Sequence, residues 1–438
     1  MKVGVISLGC DKNRIDTENM LSFLESDGYQ LTGDASDADI IVVNTCAFID
    51  SAKKEAIDTI LEMAELKKNK CKCLVVSGCL PQRYMQDIKE FFPEIDILLG
   101  TGSYQKLPQL LREFFEQNNK IAIENDKDER NFSSERVLTT PYHYAYIKIA
   151  EGCDNKCTYC AIPSIRGKYT SRKIEDITQE ASQLVKNYGI TELIVVAQDV
   201  TKYGSDIYGK IALIELLKEL SKLDIKWIRL LYLYPENVTD ELLEYMASND
   251  KICKYIDIPC QHISDKILKM MNRRTSKQQI YDLVARIRKF GDFSIRSTFI
   301  VGFPQEGQEE FDELKAFLEF ANLDRCGFFA YSCEDGTPAS RLKGQLPEEV
   351  KQARQKELYD IQNKIMSKKL RQRVGQTLDV IYEGIDYDLQ LFYGRSQFDA
   401  PEIDTTIYFV SKEPVDIGKI YKVKINKIKN NDMYGEIL

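Results

Sequence analysis

A chain of 438 residues has room for about three domains. Its hydrophobic fraction of 43% and charged fraction of 29% are those of an ordinary globular protein, and a net charge of −8 makes it a poor non-specific binder of nucleic acid but a reasonable partner for something basic. No apolar run approaches the roughly 18 residues of a membrane span, the opening apolar stretch is too short for a signal-peptide core, and twelve cysteines without a secretion signal point to a reducing compartment, the cytoplasm, and to metal binding rather than disulfides.

From residue 1 to about 120, short apolar runs alternate with amphipathic segments. Strands are predicted at 2–7, 39–44, 72–77 and 95–99, with helices near 16–27, 52–66, 82–91 and 105–117. Such alternation predicts an α/β domain with a parallel sheet. A polar stretch from about 122 to 140 reads as a linker. Alternation resumes with six predicted strands, at 145–150, 192–198, 227–233, 254–258, 295–301 and 327–332, separated by helices such as 173–188, 210–222, 275–290 and 308–322. Six βα units suit an open, partial (β/α)6 barrel, whose active face lies at the carboxyl ends of its strands. A long helix over 348–373 carries eight basic residues and reads as a solvated face. The remainder, rich in Ile, Val and Tyr with turns near Gly384, Gly394 and Gly418, predicts a small antiparallel β-barrel. Domains are expected at 1–120, 139–369 and 370–438.

The most informative motif follows the first barrel strand: Cys153, Cys157 and Cys160 in a C-x3-C-x2-C spacing. Three thiolates from one short loop can hold three corners of a 4Fe–4S cube, and without a fourth cysteine nearby one iron stays open, as a catalytic centre requires. Zinc is the plain alternative, but its structural sites usually take four ligands, and only His143 and His262 could supply nitrogen. A second set is inferred from strand ends. Cys10, Cys46 and Cys79 each follow a predicted N-terminal strand, and in a parallel sheet those ends open on one edge. Burial as small hydrophobes is the competing explanation, and three equivalent loop positions make it the weaker one. Cys71 and Cys73 fall on the opposite edge and read as inert, and Cys260 and Cys333 read as packing residues.

These residues carry a resemblance. Ser7-Leu8-Gly9-Cys10-Asp11-Lys12-Asn13, Asn44-Thr45-Cys46 and Ser77-Gly78-Cys79, with the Glu151–Cys160 motif and the Ala161–Arg172 run after it, resemble the radical S-adenosylmethionine (SAM) methylthiotransferase family over essentially the whole chain. Asp11 stands where proline is frequent in that family, and Cys260 where leucine often is. Gln198-Asp199, the 255–262 and 297–304 segments and the Ser164–Arg172 run resemble the branch that modifies an aspartate of small-subunit ribosomal protein uS12 rather than its tRNA-modifying relatives. The resemblance implies two 4Fe–4S clusters, a C-terminal TRAM-like barrel, and a radical route. One SAM supplies the methyl group. A second is cleaved reductively at the barrel cluster, and the deoxyadenosyl radical takes hydrogen from the aspartate β-carbon, which then receives the methylthio group. It also implies a sulfur source and an electron donor such as flavodoxin or ferredoxin.

Further residues for SAM or substrate contacts are Gln198 and Asp199 after the second barrel strand, Gln261 and His262 after the fourth, and Arg296 in the fifth. Arg166 and Arg172 could pair with a carboxylate or form surface salt bridges. Two other functions compete: a tRNA adenosine methylthiotransferase, and a non-enzymatic electron carrier with closed clusters. From residue 370 onward nine basic residues stand against eleven acidic ones, a balance that suits a basic protein better than RNA. On this reading the terminal barrel serves substrate affinity and is separable from the chemistry.

Overall fold

The segments Ile40–Thr45 and Cys73–Gly78 are buried along their whole length. Strands buried on both faces belong inside a parallel sheet covered by helices, and the computed structural model, which describes residues 1–117, 119–123 and 135–438, has that arrangement. The N-terminal unit runs β1 (Lys2–Ser7), α1 (Asp11–Ser26), β2 (Gln30–Thr32), β3 (Ile40–Thr45), α2 (Asp50–Glu65), β4 (Cys73–Gly78), α3 (Cys79–Phe91), β5 (Ile97–Leu99), α4 (Leu107–Gln117) and β6 (Ile121–Ile123). Its strands are all parallel, in the order β2-β1-β3-β4-β5-β6. The short β2 and β6 were not expected; they are edge strands too brief to show a period. The expected linker lies largely outside the described residues.

The central unit begins with β7 (Tyr144–Lys148), then β8 (Ala150–Glu151), α5 (Ile162–Arg166), β9 (Thr170–Ser171), α6 (Ile174–Tyr188), β10 (Glu192–Val196), α7 (Leu213–Leu220), β11 (Trp227–Leu230) and α8 (Asp240–Ser248). It continues with β12 (Tyr255–Gln261), α9 (Asp265–Met270), α10 (Lys277–Phe290), β13 (Ser294–Val301), α11 (Gln308–Ala321) and β14 (Arg325–Ala330). Two parallel three-stranded sheets, β11-β10-β7 and β12-β13-β14, are joined by a bridge between Ile228 and Ile252, giving the six-stranded partial barrel. The antiparallel pair β8–β9 straddles the Cys153–Cys160 loop.

Helix α12 (Glu348–Arg371) leads into the third unit, β15 (Thr377–Asp386), β16 (Leu391–Ser396), β17 (Ile407–Val410), β18 (Ile420–Lys429) and β19 (Asp432–Ile437). These close into a barrel in the order β15-β16-β17-β19-β18. One pair, β17–β19, is parallel, so the barrel is not wholly antiparallel. Helix α12 is only partly a solvated face: Lys351 is buried, Arg354 pairs with Glu306, and Lys369 with Asp324.

The terminal barrel is not a separable arm. Its loop 395–405 packs on the amino-terminal ends of the central strands. Buried Arg395 pairs with Glu192 of β10 and lies 2.7 Å from Glu383; Arg229 of β11 lies 2.7 Å from Glu192 and donates to the Gln397 carbonyl at 3.0 Å; Arg325 of β14 lies 2.7 Å from Asp399. Ile381 and Ala400 join Tyr144, Tyr146, Trp227 and Tyr255 of the central barrel and Ile15 of α1 in one apolar cluster. Its acidic balance is therefore partly spent inward, while Lys422, Lys424, Lys427 and Lys429 line the outside of β18. Breaking a buried pair strands the remaining charge, at about 3–5 kcal/mol. Arg395→Ala is expected to lower stability by that amount in denaturant titration, and truncation after Gly375 to cost the central barrel its cooperative melting transition. A truncated protein that melts at the full-length temperature would contradict this docking.

Candidate functional site

Strand register brings the N-terminal cysteines together. Ser7 pairs with Asn44, and Asn44 with Ser77, so one row crosses β1, β3 and β4. Cys10, Cys46 and Cys79 lie just beyond that row, where α1 and α3 leave the sheet. Two glycines make the tight exits possible. Gly9 has φ +89°, and a Cβ there would fall 2.6 Å from Cys46 Cβ; Gly78 has φ +98°, and a Cβ there would meet Asn44 Oδ1 at 2.4 Å. Asn13 fastens two of the loops, donating from Nδ2 to the Leu8 carbonyl at 2.8 Å and the Thr45 carbonyl at 3.1 Å.

The barrel cysteines are held from two sides. Cys153 N donates to the Gly167 carbonyl at 3.1 Å, closing the loop over Gly152, whose own Cβ would strike the Lys168 carbonyl oxygen at 2.1 Å. Opposite, Thr158 donates through N and Oγ1 to the Met271 and Met270 carbonyls, and Asn272 Nδ2 reaches the Lys156 carbonyl at 2.7 Å. Buried Arg273 lies with Nη1 3.9 Å from Cys157 Sγ and its guanidinium over the Tyr234 ring. Nothing in its sequence surroundings marked Arg273.

The carboxyl edge of the N-terminal sheet faces the carboxyl ends of the barrel strands, so the two cysteine sets share one junction. Tyr232, beyond β11, donates to Asp11 Oδ1 at 3.3 Å beside Cys10, and the Lys12 ammonium sits over its ring. Between the sets lies a buried group of charges. Lys148 binds Asp16 and Glu151, and Arg166 Nη1 binds Asp16 at 2.6 Å and Glu151 at 3.1 Å. Arg166 and Arg172 are thus buried rather than surface residues; Arg172 pairs with Glu180. A second fastening holds the Cys46 loop: Glu334, beyond β14, lies 2.9 Å from Lys53 and 2.8 Å from Arg83, whose Nη1 also reaches the Ala47 carbonyl at 2.9 Å.

Of the other candidate residues, Gln198 donates to Glu151 Oε1 at 2.6 Å, directly before the cysteine loop. Asp199 accepts from Thr201 and from Asn155 Nδ2 at 3.4 Å, and burial pushes its carboxyl up to about 6. Arg296 donates to Asp257 at 2.9 Å. Gln261, at φ +70°, lines a groove of about 790 Å³ together with Phe48 and Ile49 after Cys46, Tyr159 of the cysteine loop, Phe329, and Cys333. His262 is fully buried, accepting from Ser264 N at 3.0 Å with Nε2 3.4 Å from Glu306, and does not line the groove.

The thiols fit iron–sulfur clusters better than a single ion. Among the described residues no three His, Cys, Asp or Glu side chains converge tightly enough to hold one metal ion. A cube takes each thiolate on a different iron and needs no such convergence. Burial pushes the Cys153 thiol up to about 11 and those of Cys160 and Cys79 up to about 12, so the metal's charge must drive their ionisation. Donors stand ready for the thiolates: Ile162 N lies 3.5 Å from Cys160 Sγ, and Arg166 Nη2 3.6 Å from Cys79 Sγ.

Residues 2–100 match the uncharacterized protein family UPF0004, 147–318 the radical SAM superfamily, and 374–438 the TRAM domain. The chain is 50% identical over 440 residues to the ribosomal protein uS12 methylthiotransferase RimO of Clostridium botulinum, covering 100% of this chain and 98% of the relative. It is 48% identical to the protein of the same name from Caldicellulosiruptor saccharolyticus, covering 100% of both. Among solved structures, the radical SAM methyltransferase TsrM of Kitasatospora setae superposes with a TM-score of 0.56 at 14% identity, over 77% of this chain and 76% of that one, a likeness of fold.

The glycine exits separate the two cysteine sets experimentally. A side chain at a left-handed position costs about 1–2 kcal/mol before any clash. Gly78→Ala is expected to displace Cys79 and leave the barrel loop intact, and Gly152→Ala to do the reverse. Rates of thiol labelling, resolved cysteine by cysteine in the metal-free protein, check this: equal changes at both sets in either variant would contradict it.

Proposed function

Because the chain belongs to the RimO family of ribosomal protein uS12 methylthiotransferases, we propose that it uses radical SAM chemistry to place a methylthio group on the β-carbon of an aspartate in uS12. The observation that carries this reading is the facing of two three-cysteine sets across one junction, one on the sheet edge and one on the barrel. Residues 1–120, 139–369 and 370–438 are taken as the methylthiotransferase, radical SAM and TRAM domains.

Cys153, Cys157 and Cys160 would hold one 4Fe–4S cluster and Cys10, Cys46 and Cys79 the other. When bound, the barrel cluster supplies the electron that cleaves SAM, and the N-terminal cluster a place to hold sulfur and methyl. The protein's own part is positioning. Gln198 fixes Glu151 at the entry to the cysteine loop, and Asn155 and Asp199 brace its middle. Gln198, Asp199, Gln261 and Arg296 are the residues assigned to SAM or substrate, Gln261 with the strongest case because it lines the groove; His262, fully buried away from it, is not assigned. That groove, bounded by the Cys46 loop and Tyr159, has the size to take a polypeptide segment and present one side chain to the junction. An external reductant of the flavodoxin or ferredoxin kind, an external sulfur source and a cytoplasmic setting complete the reading; no described helix is long and apolar enough to cross a membrane.

Anaerobic reconstitution is expected to give about eight irons per chain. Replacing Cys153, Cys157 and Cys160 together by alanine should halve that and abolish deoxyadenosine formation. Replacing Cys10, Cys46 and Cys79 should halve the iron yet spare deoxyadenosine while abolishing methylthiolation. Product formation by either triple variant would refute the corresponding role. For the substrate, mass spectrometry of uS12 and of tRNA from cells with and without the gene should show a methylthio mass increment on uS12 alone; an increment on a tRNA adenosine with unmodified uS12 would transfer the assignment to the tRNA-modifying class.

A further inference from the structure

Arg166 ends α5, the short helix that leaves Cys160, yet its side chain reaches across to the opposite domain as well as to its own. Nη2 lies 2.9 Å from Asn13 Oδ1 and 3.6 Å from Cys79 Sγ, while Nη1 lies 2.6 Å from Asp16 Oδ2 and 3.1 Å from Glu151 Oε2. Asn13 in turn ties the loops of Cys10 and Cys46, and Glu151 stands two residues before Cys153. One guanidinium, 5% exposed, therefore addresses all three N-terminal cysteine loops directly or through one partner, and the barrel cysteine loop through another.

We propose that Arg166 is a positioning residue that couples the two clusters: it fixes the N-terminal cradle against the barrel loop and, by placing a cation at the Cys79 sulfur, raises the reduction potential of the N-terminal cluster. The proposal rests on the two-cluster reading above. Its physical basis is general. Hydrogen bonds and positive charge at ligating sulfurs stabilise the reduced, more negative state of a cluster, and they act strongly where water is excluded. The planar fork is what lets one side chain meet Asn13, the sulfur and two carboxylates at once; a lysine ammonium keeps the charge but cannot span them.

The test uses Arg166→Lys in the full chain. Iron content should stay at the wild-type level, and deoxyadenosine should still form. The yield of methylthiolated uS12 per deoxyadenosine should fall about 10- to 100-fold, the usual cost of losing a ligand's outer partner. With Cys153, Cys157 and Cys160 also replaced by alanine, so that the N-terminal cluster alone is observed, EPR-monitored titration should place its midpoint at a more negative potential than in the same background with Arg166. An unchanged yield ratio and an unchanged midpoint would overturn the proposal. Should Arg166→Lys fail to assemble, pulsed EPR decides instead: in the 15N-arginine-labelled alanine background with Arg166 retained, the reduced cluster should show a 15N coupling, and its absence would overturn the proposal. Failure of the two-cluster reading is distinct, appearing as a wild-type protein with about four irons per chain or with no methylthio product.

Discussion

Two cations and two carboxylates, Lys148 and Arg166 with Asp16 and Glu151, are buried together at the junction of the N-terminal sheet and the barrel. Asp16 comes from one domain and the other three from the second, so neither domain can satisfy its share alone. A charge left unpaired in such a place costs several kcal/mol, far more than a small shift in hydrophobic contact. The constraint is therefore on register more than on net stability: the domains can slide past one another only by stranding a charge. Because Cys79 and Glu151 are reached from the same guanidinium, fixing that register also fixes how the two cysteine sets face each other.

The opposite end of the barrel obeys a similar rule. Glu192 and Arg325 open their strands and Arg229 lies within β11, all fully or almost fully buried, and each gains a partner from the terminal barrel. An open, six-stranded barrel has an incomplete wall, and here it is filled from both directions, by Ile15 of α1 on one side and by Ile381 and Ala400 on the other. The three units thus meet inside a single apolar cluster. A groove lies open at the carboxyl ends of β12–β14, beside Tyr159.

Much of this was legible in the sequence, and the reasons differ by feature. The main strands of the sheet and barrel declared themselves through apolar period and length, and the cysteine positions through their places at strand ends. β2 and β6 stayed hidden because three residues show no periodicity. The parallel β17–β19 pair depends on barrel closure, which no local pattern encodes. Arg166 was visible as a possible carboxylate partner, but its partners come from distant segments, so its burial could not be read. Arg273 gave no sign at all, since its role follows from the end of α9 lying against the cysteine loop. The terminal barrel was legible as a small β-barrel, but its docking was not, because net charge counts residues without regard to direction: Arg395, Asp399 and Glu402 face the rest of the molecule, and the last of these lies 2.9 Å from Arg14 of α1.

The pairing of Asp16 with Arg166 joins residues 150 positions apart. A ribosome adds about 5–20 residues per second, so the N-terminal sheet waits roughly 8–30 seconds after Asp16 is made before its counter-charge exists. The barrel waits as well, since Glu192, met first by Arg229, gains its second counter-charge when Arg395 is made. During translation each unit carries a charge meant for a neighbour not yet synthesised, and the edge bearing Cys10, Cys46 and Cys79 stays uncovered until the barrel segments through Glu334 have been made. Assembly of the junction is in this sense a property of segments far apart in the chain, with later ones acting as closing pieces for the first.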